Sequence, residues 1–235
     1  MTGTLTFKRY PGRFMLIGKD GDASVAIYGA TGRSPSSLAR KFINTGNAVY
    51  MTASDATVAI QGNPDLLEYP ALQVFENGIV IANGNHINRI ENLAARDARQ
   101  QLSYALSEEA YEPDEYRTPR ITGCIVEYGG KVEGALHIVR SASDGIDHSS
   151  WSVDLQEGNA HFISTYIGDD VVPTPSFKGD PIAMKMSFGS ASKASRAVFD
   201  ALSPQEGEAD YRVGVIAAYW KHGSEPDISV VNRLS

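Results

Sequence analysis

The sequence has 235 residues, of which 42% are hydrophobic and 21% charged, and its formal net charge is −7 at pH 7. This length and composition allow a substantial core and exclude a disordered chain. The acidic balance excludes broad, sequence-independent binding to nucleic acid, which needs a basic face. It does not exclude a small anionic ligand, because one or two arginines suffice to bind a phosphate.

Short apolar runs and a polar start argue against a membrane protein. The longest runs, such as 213–219, fall far short of the ~18 residues that cross a bilayer. Residues 1–10 contain no apolar stretch of the kind found in secretory leaders, so we expect a cytoplasmic protein. The single cysteine, Cys124, excludes an intrachain disulfide and is expected to be a buried filler.

Residues 13–82 are predicted to form strands joined by tight turns. Asp20-Gly21-Asp22 and Glu76-Asn77-Gly78 contain the Asp-Gly and Asn-Gly pairs that are typical of short hairpins. Ser34-Pro35 predicts a helix that starts there and continues through Phe42 and Ile43. The predicted strands are 13–19, 23–28, 48–52, 57–61, 72–75 and 79–82.

A helix is predicted next, because apolar residues recur at three- and four-residue steps for about four turns or more. Pro113 closes this segment. The apolar residues of the stripe are Ile90, Leu93, Ala94, Ala98, Leu102, Ala105 and Leu106.

The second half returns to strands. Gly129-Gly130 joins one predicted pair, and Gly158-Asn159 joins the next. A second helix is predicted from near Ser190 to Leu202, where Pro204 ends it. Segment 168–181 contains three prolines and is predicted to be a surface loop or a lid. The predicted strands here are 121–128, 132–139, 151–155, 161–166, 212–219 and 228–231.

The order of these elements predicts one α+β domain over residues 1–235. Hairpins imply antiparallel sheets, and two helices cannot cover both faces of one large sheet. Two sheets packed face to face, with the helices outside, satisfy this pattern. A β-sandwich with peripheral helices fits nearly as well, so periodicity leaves both arrangements open.

Three segments carry a family resemblance. The first is Gly12-Arg13-Phe14-Met15-Leu16-Ile17-Gly18-Lys19, followed by Gly32-Arg33-Ser34. The second is Asn77-Gly78-Ile79-Val80-Ile81-Ala82-Asn83-Gly84-Asn85-His86. The third is Tyr111-Glu112-Pro113-Asp114-Glu115-Tyr116-Arg117-Thr118-Pro119-Arg120-Ile121. In order and spacing, the first half of the chain resembles the archaeal-type inosine monophosphate (IMP) cyclohydrolase family.

The resemblance implies a fold and a reaction. The fold is a four-layered α-β-β-α sandwich of the N-terminal-nucleophile hydrolase type, with two mainly antiparallel sheets packed face to face and helices outside. The reaction closes 5-formamidoimidazole-4-carboxamide ribonucleotide to IMP with loss of water, in de novo purine biosynthesis. One departure concerns the first motif. The family commonly continues Arg-Ser with an aromatic-Pro-Asn-Arg run, whereas Pro35-Ser36-Ser37 follows here, so a second basic residue is displaced to Arg40 or lost.

This reaction assigns roles to particular residues. We expect Arg33 and Arg120 to bind the substrate phosphate, Arg33 because it precedes a helix start and Arg120 because Pro119 stiffens the chain before a strand. The carboxamide nitrogen must lose a proton and the formyl oxygen gains charge, so an acceptor and donors are needed. Glu112 and Tyr69 are the acid–base candidates.

Amide groups and surrounding residues complete the expected site. Asn83 and Asn85 flank Gly84 at a strand end and suit the carboxamide edge of the substrate. Asp114, Tyr116 and Arg96 are expected near these groups rather than on the substrate. No metal or cofactor is expected, since the five histidines show no paired ligand spacing.

Two other functions remain open at this point. The chain could be a regulatory, purine-nucleotide-binding protein that keeps the fold without activity, which the lost basic residue after Arg33 would explain. It could also be an amidohydrolase that uses Thr2 as its N-terminal nucleophile. The expected partner is a small purine ribonucleotide rather than nucleic acid or a membrane, and a homo-oligomer is left open.

Overall fold

Two antiparallel sheets form the protein in the computed structural model, which describes residues 7–55, 57, 64–93 and 96–234. The first sheet has six strands in the spatial order β11-β10-β1-β2-β12-β13. Its strands are β1 (Arg13–Asp20), β2 (Ala23–Thr31), β10 (Asn159–Ser164), β11 (Ile182–Lys185), β12 (Arg212–Trp220) and β13 (Asp227–Asn232).

The second sheet has seven strands, which follow one another in chain order from β3 to β9. They are β3 (Arg40–Asn44), β4 (Ala48–Ala53), β5 (Tyr69–Phe75), β6 (Gly78–Ala82), β7 (Arg120–Tyr128), β8 (Lys131–Ala142) and β9 (Gly145–Val153). At one side of the sandwich the two sheets are tied together by Asn232 of β13, whose amide bonds both the N–H and the C=O of Phe42 on β3.

Short helices accompany the sheets. They are α1 (Pro35–Leu38), α2 (Pro64–Leu67), a 3₁₀ helix (Asn85–Arg89), α3 (Ala98–Ala105) and α4 (Ala191–Ala201). Helix α3 packs on β7, β8 and β9, and α4 packs on β2, β12 and β13. Among the described residues, no helix has both the length and the apolar character needed to cross a membrane.

The main core lies between the sheets. Alternate residues of the second sheet, such as Ile81 and Ile125, join β1 and β2 in one apolar cluster, while Cys124 and Val126 face α3 in another. The sheets approach closely at Gly123, where an added Cβ would lie 3.1 Å from the side chain of Ile17. The predicted sandwich of two mainly antiparallel sheets is therefore confirmed.

Several predicted elements are also confirmed. The hairpins β1–β2, β5–β6 and β7–β8 form around the predicted turns. Helix α4 starts after Ser190, whose side chain accepts a hydrogen bond from the Lys193 N–H. Cys124 is buried, as expected for a filler.

The prediction of a helix from Ser34 through Ile43 is wrong beyond its first turn. Helix α1 ends at Leu38, and residues 40–44 form β3, which pairs with β4. Phe42 is buried on one face of this strand and makes an edge-to-face contact with Tyr28. The alternation of buried and exposed residues along 40–44 is that of a strand, and packing of Phe42 overrides the helix start.

The single long helix predicted from Ile90 is also wrong. The described helix begins only after Asp97, whose carboxylate accepts a hydrogen bond from the Gln100 N–H at 2.8 Å and so caps the helix. Ile90 and Leu93 are buried because they pack in the same cluster as Leu102, although they precede the helix. Ala94 lies outside the described residues.

Two further strand predictions need correction or lie outside the description. Strands 151–155 and 161–166 are not a pair: β9 ends at Val153 in the second sheet, and β10 pairs with β1 in the first. Residues 145–150 are mostly polar, so the sequence does not predict this part of β9, which pairs antiparallel with β8. Predicted strand 57–61 falls on residues of which the structure describes only Thr57.

Candidate active site

A cleft of about 790 Å³ lies at one end of the first sheet. Because neighbouring strands are antiparallel, the starts of β1 and β12 and the ends of β2 and β10 meet at this end. The segment that leads into β7 brings the third sequence motif to the same cleft. Residues that line it include Arg13, Arg33, Ser34, Asp114, Thr118 and Tyr166.

A buried ion pair lies beside the cleft. Arg13, which lines the cavity, donates from Nη2 to Oε1 of Glu112. Glu112 is only 4% exposed and does not itself line the cleft, so Arg13 connects it to the cavity. Burial raises the pKa of the Glu112 carboxyl above its ordinary value, and the Arg13 charge offsets this only in part. The site therefore holds a carboxyl group that can accept or release a proton next to a permanent cation.

Asn83 fixes the direction of Glu112. Its Nδ2 donates to Glu112 Oε1 at 3.2 Å and to the carbonyl of Pro119 at 3.0 Å, while its Oδ1 accepts from the Ile121 N–H at 2.6 Å. Asn83 is fully buried and does not line the cleft. In this structure its amide is used to hold the carboxylate.

We expect Asn83→Ala to lower the free energy of unfolding by about 1–3 kcal/mol, because the buried Ile121 N–H loses its side-chain acceptor. Asn88→Ala is a matched control, since Asn88 is exposed and makes one long hydrogen bond of 3.4 Å. Denaturant unfolding measures both. Equal unfolding midpoints for the two variants would contradict the account of Asn83.

Tyr69 is a buried residue at the start of β5, and it interacts electrostatically with Arg13. Its hydroxyl is 2.8 Å from that of Tyr28, and both phenols contribute to the electrostatic environment of Arg13. Tyr69 is 3% exposed and does not line the cleft. Glu112 thus contacts Arg13 directly, and Asn83 contacts Glu112. Tyr69 acts on Arg13 electrostatically.

Arg33 lines the outer part of the cleft. Its guanidinium stacks over the ring of Tyr10, with 4.2 Å from Cζ to the ring centroid. Nη1 donates to Asp170 and Nη2 donates to Thr174. Ser34, the next residue, caps α1 by accepting a hydrogen bond from the Ser37 N–H. Arg33 is thus held in a fixed orientation at a cleft wall that also carries serine hydroxyls.

The structure does not bring Arg120 into this cleft. Its Nη1 donates to Glu109 Oε2 at 2.6 Å, and the other oxygen of Glu109 is 2.8 Å from Arg89. Arg120 influences the site electrostatically, since its positive charge weakly opposes the burial that raises the pKa of Glu112. Asn85 is exposed and does not line the cleft either.

Of the three residues expected near the site, two line the cleft and one does not. Asp114 and Tyr116 line the cleft. Asp114 accepts a hydrogen bond from the Thr118 N–H at 2.8 Å, and the Thr118 hydroxyl is 2.8 Å from that of Tyr166. Burial raises the pKa of Tyr166 to about 12. Arg96 lies elsewhere, stacked on Tyr104.

Arg13 is the main residue that the sequence reasoning missed. A signal was present: Arg13 follows Gly12 at the start of the first motif. Gly12 has φ of +71°, and an added Cβ would lie 2.2 Å from the Thr165 hydroxyl, so only glycine fits. Because Gly12 cannot be replaced without strain, the backbone before Arg13 has a fixed conformation, and this fixes where the Arg13 side chain begins.

A second cavity, of about 650 Å³, lies between α3 and the β8–β9 side of the second sheet. Asp97, Glu133 and Asp154 are among its lining residues, and none of the candidate site residues is. Over residues 7–55, 57, 64–93 and 96–234, no group of three or more His, Cys, Asp or Glu side chains is placed to hold a metal ion.

Comparison with known proteins identifies the family. The model of the IMP cyclohydrolase-like protein family matches residues 10–223, so the chain belongs to that family. An IMP cyclohydrolase of Thermococcus kodakarensis is 34% identical over 161 residues, which cover 67% of this chain and 74% of that protein.

Two further relatives carry the same name. The IMP cyclohydrolase of Haloquadratum walsbyi is 33% identical over 139 residues, 57% of this chain and 67% of that protein. The IMP cyclohydrolase of Methanothrix thermoacetophila is 28% identical over 192 residues, 81% of this chain and 85% of that protein. The resemblance noted in the sequence motifs is confirmed.

Proposed function

We propose that this protein is an IMP cyclohydrolase, which closes 5-formamidoimidazole-4-carboxamide ribonucleotide to IMP with loss of water. Family membership over residues 10–223 and the relatives of that name support the activity. The structural observation that carries the proposal is the buried Arg13–Glu112 pair beside a cleft large enough for a ribonucleotide.

The reaction joins two groups of one molecule. The carboxamide nitrogen attacks the formyl carbon and loses a proton, and the formyl oxygen gains a proton and becomes a hydroxyl. This hydroxyl then leaves as water with the proton of the former formamide nitrogen, and the ring C=N bond forms. Holding both groups in contact supplies much of the rate. The remaining need is for proton transfer at nitrogen and oxygen and for a cation near the developing negative charge.

The buried pair meets these needs. Glu112 takes the proton from the carboxamide nitrogen, and its raised pKa brings it closer to neutral pH than an exposed carboxylate. Arg13 presents a permanent positive charge to the cleft, where the formyl oxygen gains charge. In the same proposal Tyr69, which does not line the cavity, donates its hydroxyl toward that oxygen, and its electrostatic interaction with Arg13 supports this role.

The rest of the cleft binds the nucleotide. Arg33 and the hydroxyls at the start of α1 bind the phosphate, because they face the cleft at its outer wall. The roles of Glu112 and Tyr69 and the substrate contacts of Asn83, Asn85 and Arg120 all stay predictions, since none of these five side chains lines the cavity.

The fold type, the domain organisation and the absence of a cofactor are part of the same proposal. The packing of α3 on one sheet and α4 on the other supports a four-layered sandwich of the N-terminal-nucleophile hydrolase type. Residues 1–235 act as one domain in this proposal, and loop 168–181 contributes Asp170 and Val172 to the cleft wall. The chemistry requires no metal or cofactor, and the cytoplasmic location stays a prediction.

A turnover assay tests the proposal. Purified protein should convert the formylated ribonucleotide to IMP, at the same rate with and without a chelator. The absence of turnover together with micromolar binding of IMP would instead support a regulatory nucleotide-binding protein.

The Thr2 nucleophile can be tested separately, because Thr2 lies outside the described residues. An N-terminal nucleophile needs a free α-amino group on Thr2. Intact mass that shows Met1 retained in active protein would exclude it.

A further inference from the structure

Three side chains, those of Arg33, Tyr211 and Arg9, contact the Asp170 carboxylate at the wall of the cleft. Its Oδ1 accepts from Arg33 Nη1 at 3.2 Å. Its Oδ2 accepts from the Tyr211 hydroxyl at 3.1 Å and lies 3.2 Å from Arg9 Nε. Arg33, Asp170 and Tyr211 line the cavity, and Arg9 reaches the same carboxylate from over the Tyr211 ring.

Arg9 and Arg33 both contact Asp170, so Arg9 is a second basic residue near Arg33. Arg40, the nearest later arginine, is buried and donates from Nε to the carbonyl of Ser37, so it does not face the cleft. Arg9 lies before the motif in sequence but beside Arg33 in space. Arg9 Nη1 is 2.8 Å from Glu208, and Arg9 Nε is 3.2 Å from Asp170. Arg9 does not line the cleft itself but a neighbouring cavity of about 160 Å³, which shares Tyr211 with the cleft.

We propose that Arg33, Arg9 and Tyr211 form an anion subsite for a phosphate monoester, and that the Asp170 carboxylate is its internal competitor. The assignment rests on the proposed function, in which the phosphate belongs to the ribonucleotide substrate. A phosphate monoester carries a charge of about −1.5 to −2 and three acceptor oxygens, against one charge and two oxygens for a carboxylate. It therefore displaces Asp170 from the same three donors.

The loop need not unfold for this exchange. Arg33 also donates to the carbonyl of Val171 and to the hydroxyl of Thr174. These two contacts do not involve the Asp170 carboxylate, so the loop stays anchored while that one side chain turns away. The cost of binding is then the loss of partly exposed ion pairs, which is small for each pair.

Asp170→Asn tests the competition directly. The variant keeps the shape of the side chain and removes its charge, so inorganic phosphate should bind about 3- to 10-fold more tightly than to the wild type in calorimetry. Asp169→Asn is the matched control: Asp169 pairs with Lys8 at 3.1 Å, outside the subsite, and its removal should leave phosphate affinity unchanged.

A second variant identifies the donors. Adding Arg9→Gln to Asp170→Asn should abolish the gain, and Asp170→Ser should reproduce it if the amide disturbs folding, which a thermal melt detects. Unchanged or weaker phosphate binding in both folded Asp170 variants would overturn the proposal. The experiment measures phosphate binding and not turnover. Its result can therefore be interpreted even if the cyclohydrolase assay shows no activity.

Discussion

Glu112→Gln is expected to lower kcat by roughly 10²–10⁴, the usual scale for the loss of a general acid or base. Glutamine keeps the shape of the side chain but cannot take the proton from the carboxamide nitrogen. In the wild type, the carboxylate form is the active one, so activity should be present above the pKa of Glu112 and lost as the pH falls through it. Since this pKa is raised, the acidic limb of the pH–rate profile should lie above 4.5, and the variant should lack it.

Glu109→Gln is the matched control for Glu112. Glu109 is also well shielded and paired with an arginine, but its partner Arg120 does not line the cleft, whereas Arg13, the partner of Glu112, does. Breaking either pair leaves a poorly compensated guanidinium and lowers stability. Unfolding midpoints must therefore be measured beside kcat. Full activity of folded Glu112→Gln, or an equal loss of kcat in Glu109→Gln, would exclude Glu112 as the base.

Arg33→Ala is expected to raise KM for the ribonucleotide about 10- to 100-fold, because one charge-assisted contact to the phosphate is lost. kcat should change much less, since Arg33 lies at the outer wall of the cleft, away from the Arg13–Glu112 pair. Steady-state kinetics of the two parameters separates these effects.

Arg120→Ala provides the comparison. The sequence motif predicts a similar rise in KM for Arg120, whereas its pairing with Glu109 outside the cavity predicts a much smaller one. A large rise for Arg120→Ala with no change for Arg33→Ala would contradict the placement of the phosphate at Arg33.

The sheets could be predicted from sequence because their signals are local. Asp20-Gly21 and Asn77-Gly78 mark tight turns, and apolar β-branched residues follow them. The failures occurred where long-range packing decides the structure. Residues 40–44 form a strand because Phe42 packs on Tyr28 across the sandwich. Of β9, the sequence predicts only the end from Trp151, because residues 145–150 are mostly polar.

The site could be predicted only in part for a related reason. Recognisable motifs predict Glu112, Asn83 and Arg33 as site residues, and the structure places them in or beside the Arg13 cleft. That Glu112 contacts Arg13, 99 positions away in sequence, follows from the packing of the two sheets and from no local pattern. The same holds for Arg9, which joins Arg33 through Asp170 of a distant loop.

The position of the nucleotide is the most direct test of the whole account. A crystal structure of the Glu112→Gln variant with IMP should show the phosphate at Arg33 and the purine ring beside Arg13. Density for IMP in the cavity between α3 and β9, with the Arg13 cleft unchanged, would contradict it.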